Sequence, residues 1–226
     1  MKSVQRLDNS FDVMWALTRT VYYFIYLPCA SIFAALTFFV FIGSSSKHSL
    51  FTTDYFLLSM LLLSILVPLV YRRFTIFNRS RQLKQMVNLL TSAERFSPQK
   101  HHQVLNAASG KYLGIDTKHG SILYIHMFKK GIVDVVGLTM DDWSDSELEA
   151  GTLRVKTKNP DLPELSINAH PIVAKELFNT LGAMSHNSYS EPYPKEPWPL
   201  HVGIQSRFVE YEHNVVVPLA ANLACH

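Results

Sequence analysis

Two long apolar segments dominate the first third of the chain. The first runs from Val21 to Ile42 and the second from Tyr55 to Tyr71, with 22 and 17 residues respectively and no charged residue in either. A bilayer core about 30 Å thick needs roughly 20 apolar residues in a helix, with a lower limit near 17. Surface helices of soluble proteins normally carry a polar stripe, which neither segment has. The pattern predicts a leader over residues 1–20 and a transmembrane hairpin over residues 21–71.

The positive residues indicate how this hairpin is oriented. Eight of them flank the apolar segments on the outer sides, whereas the loop between the segments holds only Lys47. The positive-inside rule therefore predicts that both termini lie in the cytoplasm. Five of the eight follow the second segment directly, where we expect them to contact anionic lipid; they are Arg72, Arg73, Arg79, Arg81 and Lys84.

Apolar residues recur at helical spacing after the second apolar segment. They predict a basic juxtamembrane helix over residues 72–97, ended by Pro98. Its apolar stripe comprises Leu83, Met86, Val87, Leu90 and Ala93. Packing of this stripe against the chain's own domain is the favoured interpretation, because two heptads are short for a coiled coil. Pairing with a second copy, giving a homo-oligomer, stays open as the alternative.

Residues 98–185 read as short strands separated by turn signals. The expected strands cover residues 103–108, 112–116, 121–128 and 132–139, and two more are centred on Val155 and Leu165. Pro171 is well placed to open a closing helix that ends near Ser185. The predicted fold class is α+β: the two-helix transmembrane hairpin, followed by a small antiparallel-sheet domain closed by a helix. At fold level this cytoplasmic domain is comparable to the half-barrel of pleckstrin-homology modules.

The last 41 residues, 186–226, form a proline-rich C-terminal extension. Four prolines between residues 192 and 199 predict an extended segment that wraps the domain. Residues 208–217 are expected to add a late strand. We expect residues 98–226 to fold without the membrane, because they have strands, a helix and apolar faces of their own.

The formal net charge of +3 is unevenly distributed. Residues 1–97 carry a net charge of +6, and residues 98–226 carry −3. The basic surplus therefore lies near the membrane, and the acidic second half gives no reason to expect nucleic-acid binding. The two cysteines, Cys29 and Cys225, cannot form a disulfide framework and fit a reducing compartment.

Patterns typical of catalysis are not found in the sequence. The nine glycines are scattered, so no glycine-rich loop is available to bind a phosphate. The ten histidines are not spaced as metal ligands, and no serine lies in a nucleophile-elbow context. We predict no enzymatic activity, no cofactor and no metal, which leaves a membrane-tethered binding domain.

Charged residues between positions 141 and 158 are the candidates for partner binding. The acidic members are Asp141, Asp142, Asp145, Glu147 and Glu149, and the basic members are Arg154, Lys156 and Lys158. The acidic run is predicted to be a solvated loop that opposes the basic face of the following strand, because runs of charge are usually solvated.

Two predicted strands, Lys111–Asp116 (KYLGID) and Ser121–His126 (SILYIH), follow the hairpin. With it, they resemble the entry (surface) exclusion proteins of I-type conjugative plasmids. The resemblance implies an inner-membrane protein that blocks conjugative transfer of a related plasmid by recognising a component of the donor's transfer apparatus. It carries over no site residues. Two alternatives stay open: an adaptor or scaffold of a secretion or transfer machine, and a membrane-tethered ligand sensor.

Overall fold

The structure, a computed structural model, describes residue 17 and residues 20–44, 52–129, 131–160, 162–190 and 193–218. The chain divides into two compact units, residues 1–75 and residues 76–226. Each unit is described by itself below.

Long apolar helices make up the described part of the first unit. A π-helical turn, Tyr22–Tyr26, leads into helix α1, Leu27–Ser44, and helix α2 runs from Thr52 to Leu90. Two stretches are long and apolar enough to cross a membrane, with mean hydropathies of 1.6 for Tyr22–Phe39 and 1.7 for the stretch that begins at Ser59. Their large apolar side chains are exposed, as Phe24 and Phe39 show at 79% and 72%. The two apolar helices predicted from the sequence are therefore present.

A proline inside α2 explains a contact between these two helices. Pro68 lacks an N–H, so it cannot donate to the carbonyl of Ser64 four residues earlier. The hydroxyl of Tyr22 donates to that carbonyl instead, at 2.8 Å, and the hydroxyl of Tyr26 donates to Ser64 Oγ at 2.9 Å. The backbone acceptor that the proline leaves unpaired is thus satisfied by the first apolar helix.

The separate juxtamembrane helix predicted over residues 72–97 is wrong at both ends. Helix α2 passes through Arg72 without a break, because no glycine or second proline interrupts it, and it ends at Leu90. There the backbone N–H and the hydroxyl of Thr91 both donate to the Val87 carbonyl, at 2.8 and 2.7 Å. The chain then turns at Ser92–Phe96, and the fully buried Phe96 ring stacks on Trp198 at 5.0 Å. Burial of this ring, rather than Pro98, fixes the path of the chain after the helix.

A four-stranded antiparallel sheet forms the centre of the second unit. Its strands are β1 (Gln103–Asn106), β2 (Lys111–Asp116), β3 (Ser121–Lys129) and β4 (Ile132–Leu138), in that order. Most residues of β2 to β4 are buried, because both faces of the sheet are covered. The four predicted strands are confirmed with shifted ends. β1 stops two residues early because Asn106 Oδ1 accepts the Ser109 N–H at 3.1 Å and turns the chain.

One face of this sheet packs against a second sheet and a helix. The second sheet contains β5 (Trp143–Glu149), β6 (Thr152–Thr157) and β7 (Glu164–Asn168), and helix α3 follows over Pro171–Ser185. Side chains from both sheets and from α3 share one apolar core, among them Leu113, Leu153 and Leu177. The closing helix is confirmed. The solvated loop predicted for the acidic run is wrong, because the run continues into β5. Six of the seven residues of β5 pair with β6, and Trp143 is buried.

The other face of the four-stranded sheet packs against the end of α2 and helix α4, Trp198–His213. Four residues of the predicted apolar stripe are buried in this core, namely Leu83, Met86, Val87 and Leu90, whereas Ala93 is exposed. The predicted packing of the stripe against the chain's own domain is therefore confirmed. The compact unit accordingly begins at Ile76 and not at Pro98. The late strand predicted over residues 208–217 is wrong: the segment is largely helix, and of it only Val216 makes an isolated bridge, to Ile132.

Two glycines allow close approach of the C-terminal part to the sheet. At Gly137 in β4, an added Cβ would lie 2.6 Å from Val202 of α4. At Gly120 in the β2–β3 turn, φ is +67° and an added Cβ would lie 2.5 Å from the Tyr189 ring. Since the Tyr189 hydroxyl also donates to the Thr117 carbonyl at 3.1 Å, the segment before α4 lies against this turn.

Candidate partner-binding surface

The alternation of β5 depends on a bulge at its start. The register of β5 against β6 shifts between Trp143 and Asp145. Without the bulge these two residues would share a face, because side chains alternate along a strand. With it, Trp143 lies in the core while Asp145, Glu147 and Glu149 are exposed. The bulge therefore allows one short strand to contribute both to the core and to an acidic surface.

The exposed side chains of three strands form what we call the charged ladder, consisting of Asp145, Glu147, Glu149, Arg154, Lys156 and Glu164. Arg154 on β6 lies 3.3 Å from Glu149 on β5 and 3.7 Å from Glu164 on β7. Lys156, also on β6, lies 3.8 Å from Asp145 and forms a hydrogen bond to Glu147. Each cation thus contacts two carboxylates.

The ladder is acidic and open to solvent. It contains two more carboxylates than cations, and its side chains are between 41% and 74% exposed. The hydrogen bond to Glu147 raises the pKa of Lys156. Exposed ion pairs of this kind contribute little to the stability of a fold. The surface fits a positively charged partner, and its residues can be changed without loss of the core.

Three of the eight predicted site residues lie outside the ladder. Asp141 is exposed in the turn before β5, and Lys158 is exposed just after β6. Asp142 is half-buried and holds that turn, because its Oδ2 accepts the Thr139 N–H at 2.8 Å and the Thr139 hydroxyl at 2.6 Å. Asp142 therefore has a structural contact, contrary to its expected place in a solvated run.

Sequence reasoning missed Glu164 as a member of this surface. Glu164 begins β7, pairs with Lys156 in the strand register and approaches Arg154. The alternation of Glu164, Ser166 and Asn168 with the buried Leu165 and Ile167 was the signal that could have identified it. The opposition of the acidic run to the basic strand face, by contrast, is confirmed for Glu147–Arg154 and Asp145–Lys156, which are cross-strand neighbours.

Two histidine–aspartate pairs lie elsewhere in this unit. His119 Nδ1 is 2.7 Å from Asp116 Oδ2, and His126 Nδ1 is 3.7 Å from Asp134. Burial acts to raise the pKa of Asp116, but contacts with the His119 ring and the N–H groups of Ser97 and Lys118 outweigh it and lower the pKa. This carboxylate thus fixes the β2–β3 turn and the chain at Ser97. Within the described residues, no three His, Cys, Asp or Glu side chains are grouped to hold a metal ion.

The fold places the protein in the α+β class, with long apolar helices and two small antiparallel sheets. The chain matches the family described as Exclusion-determining protein over residues 1–221, and it therefore belongs to that family. The resemblance to surface exclusion proteins is confirmed. No curated protein and no solved structure matches the chain, so the comparison with pleckstrin-homology modules stays a prediction.

Proposed function

We propose that the protein excludes a related conjugative plasmid by acting from the inner membrane and recognising a component of the donor's transfer apparatus. Membership of the exclusion-determining family over residues 1–221 is the observation that carries this proposal. The role is one of binding, and we assign the protein no catalytic step. In this proposal the charged ladder is the surface that meets the donor component.

Features of the first unit support placement in a membrane. Two helices have the length and composition to span it, and their apolar side chains face outward. Ser64 and Tyr22 join the two helices through a hydrogen bond whose loss would leave an unpaired carbonyl in lipid. The excess of positive charge on the outer flanks supports cytoplasmic termini. Reporter fusions test this: Ser46 should report the periplasm and His226 the cytoplasm, and a cytoplasmic signal at Ser46 would contradict the hairpin.

Basic side chains on α2 support contact with anionic lipid next to the second span. All five are exposed, namely Arg72, Arg73, Arg79, Arg81 and Lys84. Each positive residue near an anionic surface contributes about 1 kcal/mol to attraction. Replacing the five by glutamine should reduce copurification of anionic phospholipid with the full chain. Unchanged lipid content would contradict the proposed contact.

The size of the loop and the charge of the ladder support recognition of the donor by the ladder. The loop between the apolar segments has about a dozen residues, too few to bury a core of its own. The ladder lies on a sheet with an apolar core of its own, and it is exposed and net acidic, so it would attract a basic segment of a transfer protein that enters the recipient.

A photo-crosslinking side chain at position 147 tests this contact in mating cells. We expect an adduct with a donor-encoded protein when the donor carries an excluded plasmid, and none when it carries an unrelated plasmid. The same side chain at position 176, exposed on α3, is the matched control. Equal adducts at both positions, or none at 147, would contradict recognition by the ladder.

A further inference from the structure

Helix α4 exposes an apolar stripe that its own domain leaves uncovered. Val202 and Val209 on one side of the helix are buried against the sheet. On the other side Ile204, Phe208 and Tyr211 are 45%, 57% and 88% exposed. We call these three residues the α4 stripe. An aromatic residue as exposed as Tyr211, in line with two further apolar side chains, is typical of a contact surface.

The spacing of the stripe is that of a short coiled-coil seam. Steps of four and three residues place Ile204 and Tyr211 at d positions and Phe208 at the a position between them. Arg207 then occupies a g position, and Glu212 occupies the e position five residues later. In a parallel pair of helices, a g residue of one chain lies beside the following e residue of the other. A second copy would therefore place Arg207 beside Glu212 twice, related by the twofold axis.

Both charges are available for such a pairing. Arg207 and Glu212 are exposed, and neither forms an ion pair or hydrogen bond with another residue in the part of the chain that the structure describes. An antiparallel pair would bring g beside g and e beside e, which sets like charges against each other. The charge pattern thus favours a second copy of the chain as the partner of the α4 stripe, with the two helices parallel.

The apolar stripe of α2, for which pairing with a second copy was the alternative interpretation, is not accessible for that contact. Leu83, Met86 and Leu90 of α2 are no more than 2% exposed, because they pack inside their own domain. The α4 stripe is the corresponding seam that remains accessible.

We propose that the protein self-associates through the α4 stripe, with the α4 helices of two copies parallel and joined by reciprocal Arg207–Glu212 ion pairs. The seam is short, since α4 has 16 residues, and it ends at Asn214 in the left-handed conformation. Such a contact gives weak, reversible association.

Cysteine crosslinking in intact cells tests the geometry. The full chain would carry Cys29→Ser and Cys225→Ser, together with either Ile204→Cys or Tyr211→Cys, and would be treated with a short membrane-permeant bismaleimide. Both d positions should give a covalent dimer severalfold more abundant than Ile172→Cys, the control on α3, which is apolar and 71% exposed. Two positions are used so that loss of one apolar side chain cannot hide the contact. Dimer yields at both positions no higher than the control would overturn the proposal.

Charge reversal tests the orientation. With Tyr211→Cys as the reporter, Arg207→Glu places two like-charged pairs in a parallel seam and should lower the dimer yield by about tenfold. Adding Glu212→Arg to it should restore the yield. A single reversal without effect, or a double reversal that fails to restore crosslinking, would contradict the parallel pairing.

Discussion

Removal of residues 76–97 should prevent the second unit from folding, because these residues supply part of its core. Five side chains that pack around the four-stranded sheet would be lost: Leu83, Met86, Val87, Leu90 and Phe96, each no more than 9% exposed. Full burial of a side chain of this size contributes about 1.5–3 kcal/mol. The five together contribute roughly 7–15 kcal/mol, which is comparable to the whole stability of a typical domain, about 5–15 kcal/mol.

Two fragments, 76–226 and 98–226, should be expressed and purified under the same conditions. We expect the longer fragment to show β-structure by circular dichroism and to unfold cooperatively in urea. The shorter one should be aggregated, or should lack a cooperative transition. A pair of point variants in fragment 76–226 tests the same contact. Leu83→Ala should lower the urea midpoint, whereas Lys84→Ala, at the exposed neighbouring position, should leave it unchanged.

Unfolding of fragment 98–226 with the same midpoint and the same denaturant dependence as fragment 76–226 would contradict this prediction. In that case the end of α2 would not belong to the core.

Two further predictions concern the β2–β3 turn in fragment 76–226. Gly120→Ala should destabilise it by about 2–4 kcal/mol, since a left-handed backbone costs about 1–2 kcal/mol and the Tyr189 ring must also move. Gly131→Ala isolates the backbone cost, because φ is +83° with nothing within 4 Å of the added Cβ; equal urea midpoints for the two variants would show that Tyr189 does not pack as described. The lowered pKa of Asp116 means that its contribution is present above the unfolded pKa, near 4, and is lost as the pH falls through the folded value. Urea midpoints between pH 6 and pH 3 should therefore fall less steeply for Asp116→Asn than for the unaltered fragment, and parallel curves would contradict the effect.

Periodicity predicted the elements whose burial is decided locally. The strands around Leu113, Leu123 and Val135 were predicted because apolar runs bounded by Gly-containing turns determine them. The helix from Pro171 was predicted because Leu177 and Leu181 lie on one face at helical spacing. For the same reason the stripe from Leu83 to Leu90 was assigned to the protein's own core.

Tertiary contacts decided the elements that were predicted incorrectly. Residues 208–217 carry Val215, Val216 and Val217, which favour a strand, yet burial of Val202 and Val209 against the sheet stabilises a helix up to His213. The acidic run became a strand because the bulge before Asp145 buries Trp143, a rearrangement that no local pattern signals. Within the candidate surface, the opposition of the two charged segments was predictable. The place of Glu164 in the charged ladder was not, because it depends on the register of β7 against β6.

The most direct test of recognition by the charged ladder is a mating experiment with charge-reversed recipients. Asp145→Lys, Glu147→Lys and Glu149→Lys are introduced together, and Glu94→Lys, Asp141→Lys and Glu176→Lys form a control with the same change in net charge at exposed positions outside the ladder. Protein abundance is checked in both recipients. We predict that plasmid transfer into the ladder variant rises toward the frequency seen with recipients that lack the protein, while the control variant excludes normally. Normal exclusion by an abundant ladder variant would contradict the account.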